Sequence, residues 1–212
     1  MNYYQEITLL PETEIPLSDI WQNVFQQVHI ALVEHKVAEN QSTIAVGFPD
    51  YGQRGFPLGN KLRLFAKEQA QLESLNINKW LTRLADYSHV KAIRPLPDEV
   101  TWVSFARQHV KSPERIEREM QEKAERWSYK SGRPLNECLL ELEKTKPLSK
   151  SNLPFVYLHS QQTKQRSPTN NSKFPLFIKK LEVNEPLQGL FDCYGLSSKK
   201  NKQDRIGCVP HF

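Results

Sequence analysis

Residues 17–36, LSDIWQNVFQQVHIALVEHK, place apolar side chains at Ile20, Val24, Val28, Ala31 and Leu32, with Trp21 and Phe25 widening the stripe. That spacing predicts an amphipathic helix with one buried and one wet face. It starts just after Pro16, with Ser18 or Asp19 as its cap. Such a helix needs an apolar surface to lie on, and the chain around it supplies strands. Residues 3–9 alternate until Pro11. Residues 43–48, TIAVGF, form a short apolar strand closed by Pro49 and Asp50, and residues 61–66, KLRLFA, alternate again. Residues 68–87 read as a second helix, broken near 76–78, with Leu72, Leu75, Trp80, Leu81 and Leu84 inward. Residues 90–93 are a fourth strand, stopped by Pro95 and Pro97. The order is that of a ferredoxin-like split βαβ unit, an α+β domain over residues 1–97 with both helices on one face of an antiparallel sheet. Many functions use that fold, so it selects none by itself.

His29 fits the first helix poorly. It lies one turn after Phe25, at the edge of the apolar face. Two readings stay open: a border histidine bonded to a neighbouring backbone carbonyl, or a group whose titration near neutral pH is used.

Residues 98–212 form the second part. Residues 99–110, EVTWVSFARQHV, read as a strand whose end carries Arg107 and His109. Ser112 caps a helix over 113–127, with Pro113 at its first position. That helix mixes Arg115, Arg118, Lys123 and Arg126 with five glutamates. In one reading it is a solvated helix laced by pairs such as Glu114–Arg118 and Glu119–Lys123. In the other, Arg115, Arg118 and Arg126 track phosphates while the acids face away. After a break at Gly132-Arg133-Pro134 come a short helix over 136–143 and a strand over 153–160. A polar loop over 161–173 leads to strands over 174–181 and 191–196, the last turning at Gly195, and a basic loop over 199–205 precedes the tail.

The charge is lopsided. Residues 1–100 carry 9 Lys and Arg against 12 Asp and Glu, residues 101–149 carry 10 against 8, and residues 150–212 carry 10 against 4. The second half therefore attracts a polyanion, of which nucleic acid is the commonest for a protein this basic. The three cysteines, Cys138, Cys193 and Cys208, are scattered and fit a reduced cytosol better than a disulfide scaffold or zinc site. No apolar run approaches the ~20 residues of a membrane span, and MNYYQEITLL lacks the features of a signal peptide. The expected setting is cytoplasmic, away from membranes. No carboxylate cluster, HxxxH or paired CxxC suggests a metal.

Several segments stand together: MNYYQEITLLPE with His29 late in the first helix, SFARQHVKSPERIER joining a strand to a basic helix, LPFVYLHSQQT before a polar loop and FPLFIKK, CYGLS, and the closing VPHF. Their order resembles the CRISPR-associated pre-crRNA processing endoribonucleases of type I-F (Ypest) systems, from near the first residue to the last. The resemblance implies cleavage of the repeat stem-loop of precursor CRISPR RNA on the 3′ side of the hairpin, without metal or cofactor. It also implies retention of the product within a type I-F surveillance complex. By position, it implies a catalytic role for His29, a hold on the attacking 2′-hydroxyl for Ser160, and orientation of the histidine for Tyr194. Arg107 matches a guanine-reading arginine, and His109 stands where better-known members carry a glutamine. Phe174 matches an aromatic stacked near the scissile end. Gln161, beside Ser160, joins the RNA-binding set with Arg115, Arg118, Lys123 and Arg126. The loop over 161–173 is longer than the family pattern, and its Lys164 and Arg166 add charge. Two other classes compete: a hairpin-binding subunit that does not cleave, and a structural subunit whose charged helix docks protein.

Overall fold

The computed structural model describes residues 1–111, 113–146, 151–160, 173–185, 187–199 and 206–212. They divide into two compact units, residues 1–108 with 154–212, and residues 109–153.

The first unit contains two sheets. One holds β1 (Tyr3–Leu9), β2 (Ala45–Gly47), β3 (Lys61–Ala66) and β4 (Ser88–Val90) in the order β2-β3-β1-β4, with β5 (Arg94–Pro95) also paired to β1. All its pairings are antiparallel. This is the ferredoxin-like arrangement. It packs against α1 (Leu17–Glu34), α2 (Gln69–Leu75) and α3 (Ile77–Leu81). Ile20, Trp21, Val24, Phe25, Val28, Ala31 and Leu32 of α1 are all buried, as their spacing demands. The Trp21 indole N–H donates to the Gly59 carbonyl at 2.8 Å, so its one polar atom is satisfied inside the core. Neither Ser18 nor Asp19 caps α1. Pro16 occupies the cap position in extended conformation without a side-chain bond. The second helix breaks at Asn76, whose φ of 45° is left-handed and ends α2 before α3 begins.

Glu6 is the buried charge of this sheet. Its carboxylate meets Arg63 at 2.7 Å and Lys91 at 2.6 Å. Burial pushes the carboxyl up, but the hydrogen bonds from Lys91 and Arg63 outweigh it and hold the group below its ordinary range.

The second sheet runs β7 (Phe155–His159), β8 (Lys173–Val183), β6 (Thr101–Gln108), β10 (Ser197–Ser198), β9 (Leu190–Phe191), with β11 (Val209–His211) also on β6. The two sheets share one core: Val103, Phe105, Val156, Leu158, Leu176, Ile178 and Val209 join the residues of the first sheet. Phe48 and Phe105 meet edge to face at 5.0 Å between ring centroids. Residues 191–196, expected as a strand turning at Gly195, are in strand only at Phe191. β9 and β10 are short, and the chain between them turns, for reasons given below.

The second unit is a helix pair, α4 (Pro113–Ser131) and α5 (Leu135–Glu143). Ala124, Cys138 and Leu142 are its buried contact, with Met120, Trp127 and Leu139 packed around them. Trp127 belongs to that contact, so α4 continues past it and ends before Gly132, which has φ of +69°. The expected cap Ser112 lies outside the described residues. Among the described residues no helix is long and apolar enough to cross a membrane.

Candidate active site

His29 projects from the edge of the buried face of α1, half-buried between the core residues Val28 and Leu32. Its partner comes from far along the chain. Nδ1 lies 2.8 Å from the carbonyl oxygen of Cys193. A carbonyl only accepts, so Nδ1 carries the proton and, in the neutral ring, Nε2 is the basic atom. The imidazole also stacks on the Tyr194 ring, with centroids 4.1 Å apart and planes 12° from parallel.

Both contacts depend on a turn over residues 192–196. The buried Asp192 carboxylate accepts the backbone N–H of Tyr194 at 2.8 Å and of Leu196 at 3.0 Å. The Asp192 N–H donates to the Leu196 carbonyl and the Gly195 N–H to the Asp192 carbonyl, at 2.9 and 2.8 Å. Asparagine or aspartate opening a turn by bonding its own downstream backbone is a common device. Gly195 is required twice over. Its φ is +71°, and a Cβ there would lie 2.4 Å from the Val46 Cγ2. Its carbonyl accepts the Val46 N–H at 2.8 Å, tying the turn to β2. Asn40 Oδ1 accepts the Cys193 N–H at 3.4 Å from the other side. The Cys193 carbonyl is thus held before it meets the histidine.

Burial lowers the pKa of His29, and the positive charge of Arg107 lowers it further, against an opposing contribution from the Cys193 carbonyl. The ring is therefore neutral, and able to take a proton, at neutral pH. Burial raises the Tyr194 phenol, so its hydroxyl stays protonated. Burial also pushes Asp192 up to about 6, although the N–H groups of Leu196 and Tyr194 and the charge of Arg107 pull the other way.

These groups open on a cleft of about 640 Å³ whose lining includes His29, His159, Ser160, Phe174, Cys193 and Tyr194. Ser160 follows directly after β7, so strand alternation no longer dictates its direction. It shares the cleft with His159, which alternation alone would place on the opposite face. The Gln26 side chain accepts the His159 backbone N–H at 2.8 Å, docking the end of β7 on α1. Arg107, near the end of β6, places its guanidinium carbon 5.5 Å from the Phe174 ring centroid and 5.7 Å from that of Tyr194.

A family model described as CRISPR-associated protein (Cas_Csy4) matches residues 4–212. The chain belongs to the Cas6/Csy4 family. It is 31% identical over 200 residues to a CRISPR-associated endonuclease Cas6/Csy4 of Escherichia coli (strain UTI89 / UPEC), covering 93% of this chain and 96% of that one. It is 30% identical over 218 residues to a protein of the same description from Pseudomonas aeruginosa (strain UCBPP-PA14), covering the whole of both.

In this Csy4-family chain the expected residues divide by unit. His29, Arg107, Ser160, Phe174 and Tyr194 all lie in the first unit, four of them on the cleft and Arg107 against two of its rings. His109, Arg115, Arg118, Lys123 and Arg126 belong to the second. Gln161 and the loop residues Lys164 and Arg166 fall outside the described residues. On α4 the ion pairs differ from those the spacing suggests. Glu119 takes Arg115 at 2.8 Å and also Lys111, instead of Lys123. Arg118 and Lys123 are exposed and in no ion pair with a described residue. The Arg126 guanidinium donates to the Glu122 carbonyl. Among the described residues no group of three or more His, Cys, Asp or Glu is arranged to hold a metal ion. Sequence reasoning misses Asp192, Asn40 and the Cys193 carbonyl, because their work is done through the backbone. Gly195 marks the turn in the sequence, but Asp192, three residues ahead of it, is the only sign of what shapes it.

Proposed function

We propose that this chain is a metal-independent endoribonuclease that binds the repeat stem-loop of precursor CRISPR RNA and cuts it on the 3′ side of the hairpin. The observation that carries the reading is the bond from His29 Nδ1–H to the Cys193 carbonyl, which leaves Nε2 as the base in a cleft shared with Ser160 and Tyr194. RNA supplies its own nucleophile. His29 takes the proton of the 2′-hydroxyl, the 2′ oxygen attacks the adjacent phosphorus, and the bond to the 5′ oxygen of the next nucleotide breaks. The products are a 2′,3′-cyclic phosphate and a 5′-hydroxyl, the departing oxygen regaining a proton from the imidazolium or from water. Proton transfer of this kind contributes roughly 10²–10⁴-fold, and alignment by Ser160 and Tyr194 adds to it.

The labour divides at residues 97 and 98. Residues 1–97 supply His29, and residues 98–212 supply the RNA contacts and the rest of the active site. Arg107, braced by two aromatic rings, reads a guanine of the stem, and Phe174 stacks near the cut. His109 and Gln161 contact the RNA beside them. Arg115, Arg118, Lys123 and Arg126 follow phosphates, which gives affinity that falls with salt. The enzyme works in the cytoplasm and stays on its product as part of a type I-F, Ypest-subtype surveillance complex.

The test uses the hairpin encoded by the CRISPR repeat beside the gene, under single-turnover conditions. The expected results are undiminished cleavage in chelator and a bound but uncut substrate when the scissile nucleotide is 2′-deoxy. Loss of activity in chelator would point to metal-dependent hydrolysis. An all-ribose repeat that binds tightly and stays whole would mark a hairpin binder that does not cleave.

A further inference from the structure

The cleft is longer than the catalytic groups need. At one end, Ser160 lies beside His159, whose backbone is bonded to Gln26 of α1. His29 comes next along the helix. The lining then continues past His29 to Ile30, Val33, Glu34, Lys36, Glu39 and Asn40. From Gln26 to Val33 is about 10 Å at ~1.5 Å per helical residue. This far end is joined to the catalytic groups, since the Asn40 side chain accepts the Cys193 N–H.

We infer that this far end is the subsite for the first nucleotide of the departing strand, and that it recognises a base bearing an exocyclic amine. The inference rests on the ribonuclease reading above. If the attacking ribose sits at the Ser160 end and His29 stands in the middle, the nucleotide beyond the scissile phosphate extends toward Lys36. Ile30 and Val33 are half-buried there and offer apolar surface to a base. Glu34 and Glu39 are exposed and can only accept when ionised. An acceptor-rich rim favours the amino group of cytosine or adenine over uracil, which carries a carbonyl oxygen in place of that amine. Lys36 is a cation on this rim and fits the next phosphate. The acids on either side of it disfavour any further phosphate, so the departing strand is held at one nucleotide and its phosphate.

The experiment compares repeat hairpins that differ only in the departing strand: a single cytidine, a single uridine, and the cytidine extended by a second nucleotide. In the unaltered enzyme the cytidine substrate is cut about fivefold faster than the uridine one, the size of one modest base contact, and the extension raises the rate further. Glu34→Ala/Glu39→Ala removes the preference for cytidine, and Lys36→Ala removes the gain from the extension. Equal rates for cytidine and uridine in the unaltered enzyme would overturn the subsite while leaving the ribonuclease reading intact. So would a preference that survives in the double variant. If no substrate is cut, the ribonuclease reading fails, and the subsite with it.

Discussion

His29 and Tyr194 lie face to face, 4.1 Å between ring centroids and 12° from parallel, although 165 positions separate them in the chain. The stack fixes the plane of the imidazole. The bond from Nδ1 to the neighbouring carbonyl of Cys193 fixes its rotation within that plane. Together they point Nε2 in one direction, as the proposed role of base toward a 2′-hydroxyl requires.

The first consequence is a pH dependence. Burial and then Arg107 lower the His29 pKa, so the free enzyme keeps its base deprotonated to a lower pH than free imidazole does. Activity as a base is present above that lowered pKa and is lost as pH falls through it. The acid limb of kcat/KM, which reports free enzyme, therefore has its midpoint below the ordinary value of about 6.5. Titration of His29 by NMR in the unliganded protein should show the same downward shift, and Arg107→Ala should move it back upward. A midpoint above the ordinary value would contradict the assigned environment.

Asp192 is predicted to matter without touching RNA. Asp192→Ala removes both side-chain bonds that shape the turn. The Cys193 carbonyl and the Tyr194 ring then lose their fixed positions. Misplacement of a catalytic group by about 1 Å can cost 10²-fold, and kcat is expected to fall by about that factor with KM little changed. Asp192→Asn keeps a carbonyl acceptor and restores most of the rate. If the alanine variant folds, binds the hairpin and cuts at full speed, the turn has no such role.

On the basic helix, Arg118 and Lys123 are in no ion pair with a described residue, while Arg115 shares Glu119 with Lys111. Arg118→Ala and Lys123→Ala should each weaken hairpin binding and reduce the slope of log K against log salt by about 1. Arg115→Ala should change it less. An unchanged slope in both of the first two variants would place the RNA elsewhere.

Much of this arrangement can be read in the chain. β1, α1 and β3 follow from period, because most of one face of each is buried. The reading of His29 as a border histidine bonded to a carbonyl describes a bond that exists, but local spacing could not say that the carbonyl belongs to Cys193. That distance in sequence also hides β11, which pairs with β6 more than a hundred positions earlier. The turn at Gly195 in FDCYGL is legible from the glycine, but the Asp192 carboxylate that shapes it is not. Glu119 illustrates the same limit on α4. Helical spacing allows it Arg115 or Lys123, and Lys111, placed before the helix, joins Arg115.

The most direct test of the central claim is the single-turnover cleavage rate of His29→Ala, measured alongside its affinity for the cognate repeat hairpin. The account predicts a rate at least 10²-fold lower with hairpin affinity nearly unchanged. Cleavage at the unaltered rate, with binding intact, would contradict it.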